Sequence, residues 1–275
     1  MERIIGLLTD FGIRGQHYVA AMKAVILKIN PLVKIIDISH SITPYSIIEA
    51  SYTLKSTYKY FPKGSIFITV VDPGVGSSRE IIAIKTKSDY YFIGPDNGIF
   101  PNFLHTSEIS ECRKVQKKEY FIQPVSATFH GRDIMAPIGA YLSKSQEFIL
   151  SDLGEIYSFD NLKKIPNNYK LDFNKRSITC IIQYIDSFGN GITNIQLVDN
   201  KIEELNMSLE EGIKIKLFIK QETFEGIFTS HFSGVPIDSL LFLVGSTGFL
   251  EISINQGNAS KKLGFKSGEI ITLEI

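Results

Sequence analysis

Three aspartates in the first hundred residues follow strand-like runs and stand beside glycine: Asp10, Asp72 and Asp96. Carboxyl ends of parallel strands line the ligand crevice of open α/β sheets, and glycine there lets the backbone approach a ligand closely. A single aspartate at such a point more commonly caps a turn or a helix. Three together favour one shared cleft whose carboxylates accept hydrogen bonds or protons. None of the adjoining loops matches a Walker or dinucleotide-binding pattern, so no phosphate site is predicted.

A histidine adds a second kind of proton-transferring group. His130 lies in the run FHGRD at 129–133, where a glycine and a charged pair follow it and indicate a polar site. The other histidines are interpreted as structural residues: His17, His40, His105 and His231. No His or Cys pair has the spacing of zinc ligands, so no metal is predicted. A hard metal ion held by Asp10, Asp72, Asp96 and His130 stays a competing hypothesis.

Turn-forming residues crowd the second half of the chain at 186–194. There Asn190 offers both an amide donor and an acceptor, which suits the edge of a purine, and Phe188 offers a face for stacking. A plain glycine-containing β-turn with asparagine in the left-handed region explains the same run equally well. A second dense stretch at 245–259 combines an alternating strand pattern after Phe249 with a loop from Asn255.

Alternating strand-like and helix-like segments must position these groups in the first half. Helical spacing predicts helices over 19–29, 44–60 and 132–142, with Pro44 in the first turn of the second helix. The runs 81–86 and 90–93 predict an antiparallel or edge pair of strands. This alternation indicates βαβ units and a mostly parallel sheet covered on both faces.

In the second half the sequence pattern indicates short strands separated by Gly, Asn, Asp and Ser, and it indicates no long helix. The strand candidates are 177–184, 213–219, 224–228, 240–244, 249–254 and 269–274. They predict a small antiparallel β-barrel. Composition turns polar at 163–168, which places the boundary between an N-terminal α/β domain at 1–165 and a C-terminal barrel at 170–275.

Composition limits the classes of partner. The chain has 275 residues, with 29 basic and 29 acidic side chains, so it lacks the basic excess that non-specific binding to nucleic acid or to an anionic membrane needs. No apolar run approaches the roughly 20 residues of a membrane span. Two cysteines, Cys112 and Cys180, make no disulfide framework and fit a reducing cytoplasm. These features predict a soluble cytoplasmic protein.

The same motifs, taken in order, resemble the S-adenosyl-L-methionine hydroxide adenosyltransferase family, hydrolase relatives of the fluorinase and chlorinase enzymes. The matching runs are LTDFG at 8–12, SHSITP at 39–44, VDPGVG at 71–76 with Arg79, GPDNG at 94–98, FHGRD at 129–133, FGN at 188–190, and LEI at 250–252 with Asn255. The resemblance covers almost the whole chain. It implies an α/β domain followed by an antiparallel barrel, in agreement with the strand and helix patterns.

The resemblance also implies a substrate and an assembly. S-adenosylmethionine would bind at the subunit interfaces of a homotrimer, between the N-terminal domain of one chain and the barrel of its neighbour, with no cofactor. Asp10 would take the two ribose hydroxyls and Tyr45 would flank the sugar. The trio that would hold the attacking water is Asp72, Arg79 and His130. Halogenases of the superfamily carry aromatic or apolar residues in place of this trio, so its retention favours hydrolysis to adenosine and L-methionine.

In the barrel, the resemblance assigns the adenine and methionine ends of the substrate. Phe188 would pack on the adenine face, and Asn190 with the backbone of Ile254, Asn255 and Gln256 would read its edge. Asp186, Ser246 and Glu251 would lie near the methionine end or the barrel side of the pocket. At the position of Thr247 the halogenases have a basic residue, so the resemblance does not assign the residue that binds the methionine carboxylate.

Three other functions compete with hydrolysis. A halide-dependent adenosyltransferase would need chloride, and a metal-dependent hydrolase would be sensitive to a chelator. A non-catalytic nucleoside-binding protein would bind S-adenosylmethionine without forming adenosine. Members of the family that prefer the R-sulfonium epimer would act in repair or clearance, and the products formed from each resolved epimer would discriminate these functions.

Overall fold

The computed structural model describes residues 3–145, 147–166, 169–203 and 206–275. The chain divides into two compact units, one through Ile165 and one from Pro166. Asn167 and Asn168, the end of the polar stretch that marks the expected boundary, lie outside the described residues.

The first unit contains a six-stranded sheet in the order β2-β1-β3-β5-β4-β6. Its strands are β1 (Ile4–Thr9), β2 (Lys34–Ser39), β3 (Ile66–Val70), β4 (Ile81–Thr86), β5 (Tyr91–Pro95) and β6 (Ile109–Lys114). The first four in sheet order pair in parallel, while β4 runs antiparallel to both of its neighbours. The expected pairing of the two runs around residue 88 is therefore confirmed. Because β1, β3 and β5 are parallel neighbours, the three aspartates that follow them leave the same edge of the sheet.

Apolar side chains alternate along β3, and this alternation buries both faces of the sheet. Ile66, Ile68 and Val70 pack in a core with α1 (Gln16–Ile29) and α3 (Ala136–Lys144). Phe67 points the other way, into a core with α2 (Ile47–Thr57). Fully buried strands with helices on both sides are typical of parallel sheets, which agrees with the fold class predicted.

Two helix starts differ from the sequence expectation. The expected helix at 44–60 begins only at Ile47, because Tyr45 adopts φ 68° and Ser46 caps the first turn by accepting from Glu49 N at 3.4 Å. The expected helix at 132–142 becomes α-helical only at Ala136, because a π-helical turn occupies Gly131–Met135. Such turns occur frequently at functional sites.

The second unit is a closed barrel of seven strands. Neighbours run in the order β8-β9-β15-β14-β13-β12-β16, and β16 pairs back onto β8. The seven ring strands are β8 (Ser177–Ile185), β9 (Gly191–Gln196), β12 (Lys214–Ile219), β13 (Glu222–Phe228), β14 (Leu240–Val244), β15 (Phe249–Ile254) and β16 (Ile270–Glu274). Outside the ring, β7 (Lys170–Asp172) pairs with β8, and β10 (Lys201–Ile202) pairs with β11 (Met207–Ser208). A short helix, α4 (Ala259–Leu263), follows β15. All ring pairs are antiparallel except β13 with β14. The barrel prediction is confirmed.

Across the described ranges, no helix combines the length and the apolar character needed to cross a membrane.

Candidate active site

A cavity of about 350 Å³ opens beside the carboxyl ends of β1 and β3 in the first unit. Four of the side chains singled out from the sequence line it: Asp10, Tyr45, Asp72 and His130. The remaining lining residues are Phe11, Tyr18, Pro44, Val70, Val75, Thr128, Phe129 and Gly131. The cavity thus combines two carboxylates and an imidazole with a largely aromatic and apolar wall.

Asp10 is oriented by the backbone of Tyr45. Its Oδ2 accepts a hydrogen bond from Tyr45 N at 2.9 Å, and Tyr45 itself is in the left-handed conformation. Burial raises the pKa of Asp10, and the nearby charge of Asp72 adds to the rise, while the bond from Tyr45 opposes it. This carboxylate can accept hydrogen bonds from a ligand's hydroxyl groups.

Asp72 and Arg79 form a nearly buried ion pair. Arg79 Nε lies 3.1 and 2.9 Å from the two carboxylate oxygens of Asp72, and the terminal NH2 group of Arg79 also bonds Oδ2. Only 3% of the Asp72 side chain and 4% of the Arg79 side chain are exposed. The glycine-rich loop between them turns the chain back on itself, and Gly74 N donates to Asp72 Oδ1 at 3.2 Å. Arg79 itself is not a lining residue; it holds Asp72 from behind.

His130 joins the pair through Arg79. The NH2 group of Arg79 lies 2.9 Å from His130 Nδ1. Because a guanidinium can only donate, Nδ1 accepts, and the neutral imidazole carries its proton on Nε2. Burial lowers the pKa of His130, and the charge of Arg79 lowers it further. The neutral, Nε2-protonated form is therefore the one that faces the cavity at neutral pH.

The loop that carries His130 is held by its neighbours. Asp133, fully buried, accepts from Ser126 N at 2.8 Å and from Arg132 Nε at 2.6 Å. A Cβ at Gly131 would lie 3.0 Å from Val70, so the π-helical turn packs directly on the end of β3. These contacts fix His130 beside Asp72.

Asp96 does not share this cavity. It is buried, and its Oδ1 accepts from Lys163 N at 2.9 Å. Burial raises the pKa of Asp96. The expectation of one cleft with three carboxylates is therefore wrong for Asp96, which fastens the end of the first unit instead. Within the described part of the chain, no cluster of three His, Cys, Asp or Glu side chains has the geometry of a metal site.

A second cavity, of about 850 Å³, lies in the barrel unit. All eight barrel residues assigned to the substrate line it: Asp186, Phe188, Asn190, Ser246, Glu251, Ile254, Asn255 and Gln256. The other lining residues are Ser230, His231, Phe232, Leu243, Val244, Gly245 and Gly257.

Asp186 organises the turn at one side of the barrel cavity. Its Oδ1 accepts from the backbone N–H groups of Phe188 and Asn190, both at 2.9 Å, and its Oδ2 accepts from Asn190 Nδ2 at 2.9 Å. The arrangement leaves the Asn190 side-chain oxygen as an acceptor and holds the Phe188 ring outward, 74% exposed. Asp186 therefore shapes the turn rather than offering a free carboxylate.

Glu251 is the second carboxyl of the barrel cavity, and it lies against the backbone of Gly245. A Cβ at Gly245 would overlap the Glu251 carboxyl oxygen, so a larger residue there would displace this carboxyl group. Burial raises the pKa of Glu251 to about 7, and the charge of Asp186 adds to the rise. At neutral pH this group exists in comparable amounts as acid and carboxylate.

Asn255 makes three hydrogen bonds within the barrel unit. Its Nδ2 donates to Val235 O at 2.7 Å, its backbone N donates to Ser239 O at 3.1 Å, and its carbonyl accepts from Asp238 N at 2.9 Å. Within the described residues, the backbone groups of the next residue, Gln256, make no comparable bond. An adenine edge would thus find its backbone partner at Gln256 rather than at Asn255.

Several lining residues escaped the sequence analysis. Phe232 is 44% exposed on a short turn between β13 and β14 and lines the barrel cavity beside His231, which the sequence analysis treated as structural. In the first unit, Phe11, Tyr18 and Phe129 form an aromatic cluster with ring centroids 5.2 to 5.9 Å apart. Aromatic residues within Gly- and Ser-containing turns were the available signal, but the same residues commonly serve as core.

Comparison with known proteins gives a consistent picture. Residues 5–152 match the model of the SAM hydroxide adenosyltransferase N-terminal domain, and residues 180–272 match that of the C-terminal domain. The (R)-S-adenosyl-L-methionine hydrolase of Methanocaldococcus jannaschii is 38% identical over 267 residues, 94% of this chain and 91% of the relative. A fluorinase from Actinoplanes sp. is 23% identical over 300 residues, 98% of this chain and 97% of the relative. A crystal structure of an uncharacterized conserved protein from Thermotoga maritima superposes with a TM-score of 0.87 at 34% identity, covering 99% of this chain and 100% of that one.

Proposed function

Because this chain belongs to the SAM hydroxide adenosyltransferase family, we propose that it hydrolyses S-adenosylmethionine to adenosine and L-methionine. The observation that carries the proposal is that Asp72 and His130 line the first cavity and are joined to each other through Arg79. The carboxylate of Asp72 and the imidazole of His130 can hold a water molecule and take its proton, whereas a halide has no proton to give up.

The reaction requires in-line attack at the ribose 5′ carbon. The bond between the water oxygen and C5′ forms while the C5′–S bond breaks, and its electron pair returns to sulfur to give the neutral thioether of methionine. Since a cation is consumed as the water loses a proton, a site with little water favours the step. The protein's part is to hold water in line with the C–S bond and to take its proton.

The geometry favours Asp72 as the group that takes the proton. His130 Nδ1 is occupied by Arg79, and its Nε2–H donates, so the imidazole orients water rather than accepting from it. Asp72 is held by Arg79 and still lines the cavity, so its carboxylate can accept the proton and Arg79 can stabilise the developing hydroxide. The proton then passes to solvent.

We assign the rest of the substrate to the two cavities. Asp10 takes the ribose hydroxyls with Tyr45 beside the sugar, because Tyr45 N already orients the carboxylate. Asn190 and Gln256 read the adenine edge, with Phe188 on its face. Ser246 and Glu251 lie toward the methionine end, where the carboxyl of Glu251 can accept from the substrate's ammonium group.

The functional unit is proposed to be a homotrimer in which the first cavity of one chain and the barrel cavity of a neighbour complete one site. Each unit contains a cavity lined by a different set of the assigned groups, four in the first and eight in the barrel, which supports this division. A cyclic trimer closes head to tail and contains three equivalent sites. We further propose a cytoplasmic location, in keeping with two buried free cysteines, Cys112 and Cys180.

Incubation with each resolved sulfonium epimer tests the proposal. The relatives' name leads us to expect adenosine and methionine from the R epimer, detected by chromatography. A second arm adds chloride. Formation of 5′-chloro-5′-deoxyadenosine would reassign the protein as a halide-dependent transferase, and tight binding without any product would make it a nucleoside-binding protein. Unchanged turnover after chelation would remove the metal-dependent alternative.

A further inference from the structure

Two buried side chains, Thr9 and His40, and one exposed carboxylate, Asp37, form a row beside Asp10 that does not line the cavity. Thr9 Oγ1 lies 3.0 Å from His40 Nδ1, and His40 Nε2 lies 3.0 Å from Asp37 Oδ1. Thr9 is fully buried and His40 is only 9% exposed, so neither side chain can reach a substrate. The order hydroxyl, imidazole, carboxylate resembles a nucleophile triad, but the buried hydroxyl rules out attack.

A lysine binds Asp37, the residue of this row that lies farthest from Asp10. Asp37 Oδ2 accepts from Lys23 Nζ at 2.6 Å. Burial raises the pKa of Asp37, but the interactions with Lys23 and His40 outweigh burial and leave the pKa below its ordinary value. An ionised Asp37 favours the proton on His40 Nε2, so His40 Nδ1 accepts from the Thr9 hydroxyl. His40 Nε2 faces Asp37 at ion-pair distance but makes no hydrogen bond of adequate geometry, so the bond to Thr9 is the one that fixes the ring.

Thr9 and His40 both form hydrogen bonds with the turn that carries Asp10. Phe11 N points to Thr9 Oγ1 at 3.4 Å, and Gly12 N donates to His40 O at 2.7 Å. The segment that begins at His40 also supplies Tyr45 N, the donor that orients Asp10 Oδ2. His40 therefore contacts the turn on both sides of Asp10 and begins the loop that orients the carboxylate.

We infer that His40 is a positioning residue for Asp10, and that its bond to Thr9 sets the direction in which the Asp10 carboxylate meets the ribose hydroxyls. The inference rests on the proposed role of Asp10 in binding the sugar. A histidine that only stabilised the fold would affect every ligand of the site equally. A positioning histidine affects the hydroxyl-dependent part of the affinity alone.

Two ligands separate these roles: adenosine, and 2′,3′-dideoxyadenosine, which lacks both ribose hydroxyls. In the wild-type protein we expect adenosine to bind roughly 10- to 100-fold more tightly, the range for hydrogen bonds to a charged group. Asp10→Ala should abolish this discrimination. Calorimetric titration of each folded variant with both ligands gives the ratio directly.

Four variants locate the effect. Thr9→Val keeps the shape and removes the hydroxyl, and His40→Gln can reach Asp37 but not Thr9; both should reduce discrimination by about 5- to 10-fold. His40→Asn places an acceptor near the former Nδ1, so it should keep most of the discrimination while losing Asp37. The control is His105→Asn, at an exposed histidine of the same unit, which should match the wild type.

Each outcome decides the matter. Reduced discrimination in Thr9→Val and His40→Gln, with retention in His40→Asn, supports the inference. Wild-type discrimination in both disruptive variants, or equal weakening of both ligands, overturns it and leaves His40 a structural residue. If the wild-type protein binds adenosine and 2′,3′-dideoxyadenosine equally tightly, or if Asp10→Ala keeps the wild-type ratio of the two affinities, Asp10 does not bind the ribose hydroxyls. The proposed role of Asp10 then fails, and the inference fails with it.

Discussion

Arg79 meets Asp72 through a pair of Nε hydrogen bonds, 3.1 and 2.9 Å long, in a place where both side chains are almost fully buried. A buried guanidinium without its carboxylate is costly, so this pair is fixed in geometry and in charge. The Asp72 carboxylate therefore stays ionised as a hydrogen-bond acceptor in the cavity wall, with the positive charge of Arg79 beside it. Attack by water needs both an acceptor for its proton and a positive charge near the developing hydroxide.

Asp72→Asn should lower turnover by about 100-fold or more and leave adenosine affinity within a few-fold, because the carboxylate acts on water rather than on the nucleoside. Single-turnover kinetics and calorimetry measure the two effects. Asp89→Asn, in the exposed β4–β5 turn, is the matched control and should behave as the wild type. Near-normal turnover in a folded Asp72→Asn protein would remove Asp72 from the mechanism.

Asn190→Ala should weaken adenosine binding by about 5- to 150-fold, the effect of a buried polar edge left without its partner. The substitution also frees Asp186 Oδ2, so the turn must be checked by the melting temperature. Asn194→Ala, in the adjoining strand β9 but not a lining residue of the cavity, serves as the control. Unchanged affinity for adenosine would reduce the 186–190 turn to a structural role.

Glu251→Gln should change how stability depends on pH. The pKa of Glu251 in the folded protein is about 7, above its ordinary value of 4.5, so the native state holds a proton that the unfolded chain releases. The free energy of unfolding should therefore fall as pH rises through this window, and the neutral glutamine should escape the fall. We expect the Tm of the variant to gain roughly 2–4 °C on the wild type between about pH 5 and about pH 8.

Glu222→Gln, on an exposed part of β13, is the control for the pH experiment and should run parallel to the wild type. Melting curves of Glu251→Gln that also stay parallel to the wild type would show that Glu251 is ionised in the folded protein throughout this range.

Mixed assemblies should restore activity between two inactive chains. Asp72→Asn disables the first cavity, and Asn190→Trp would fill the barrel cavity, so random co-expressed trimers should contain some sites with two intact halves. Activity after co-expression, against each variant alone, is the measurement. Verified mixed trimers without recovery would place both halves in one chain, and an active monomer in light scattering would exclude the interface arrangement.

Local sequence patterns predicted the sheet, the barrel and the run of groups around the first cavity, because strand periodicity and turn residues act over short distances. Asp96 was misplaced because its partner, Lys163 N, lies 67 positions away. The start of β9 was read as a turn, since glycine and asparagine dominate it, but cross-strand pairing overrides their preference. Tyr45 is left-handed and bonds Asp10, which no local pattern reports.

Ring closure of the barrel depends on β16. β16 pairs with β12 on one side and with β8 on the other, and Ile275 N donates to Arg176 O. Loss of Ile270–Glu274 would leave two open strand edges, and open edges recruit strands from other molecules. The barrel is therefore protected from edge-to-edge aggregation only after β16 has paired with both of its neighbours, and a molecule clipped before Ile270 should self-associate.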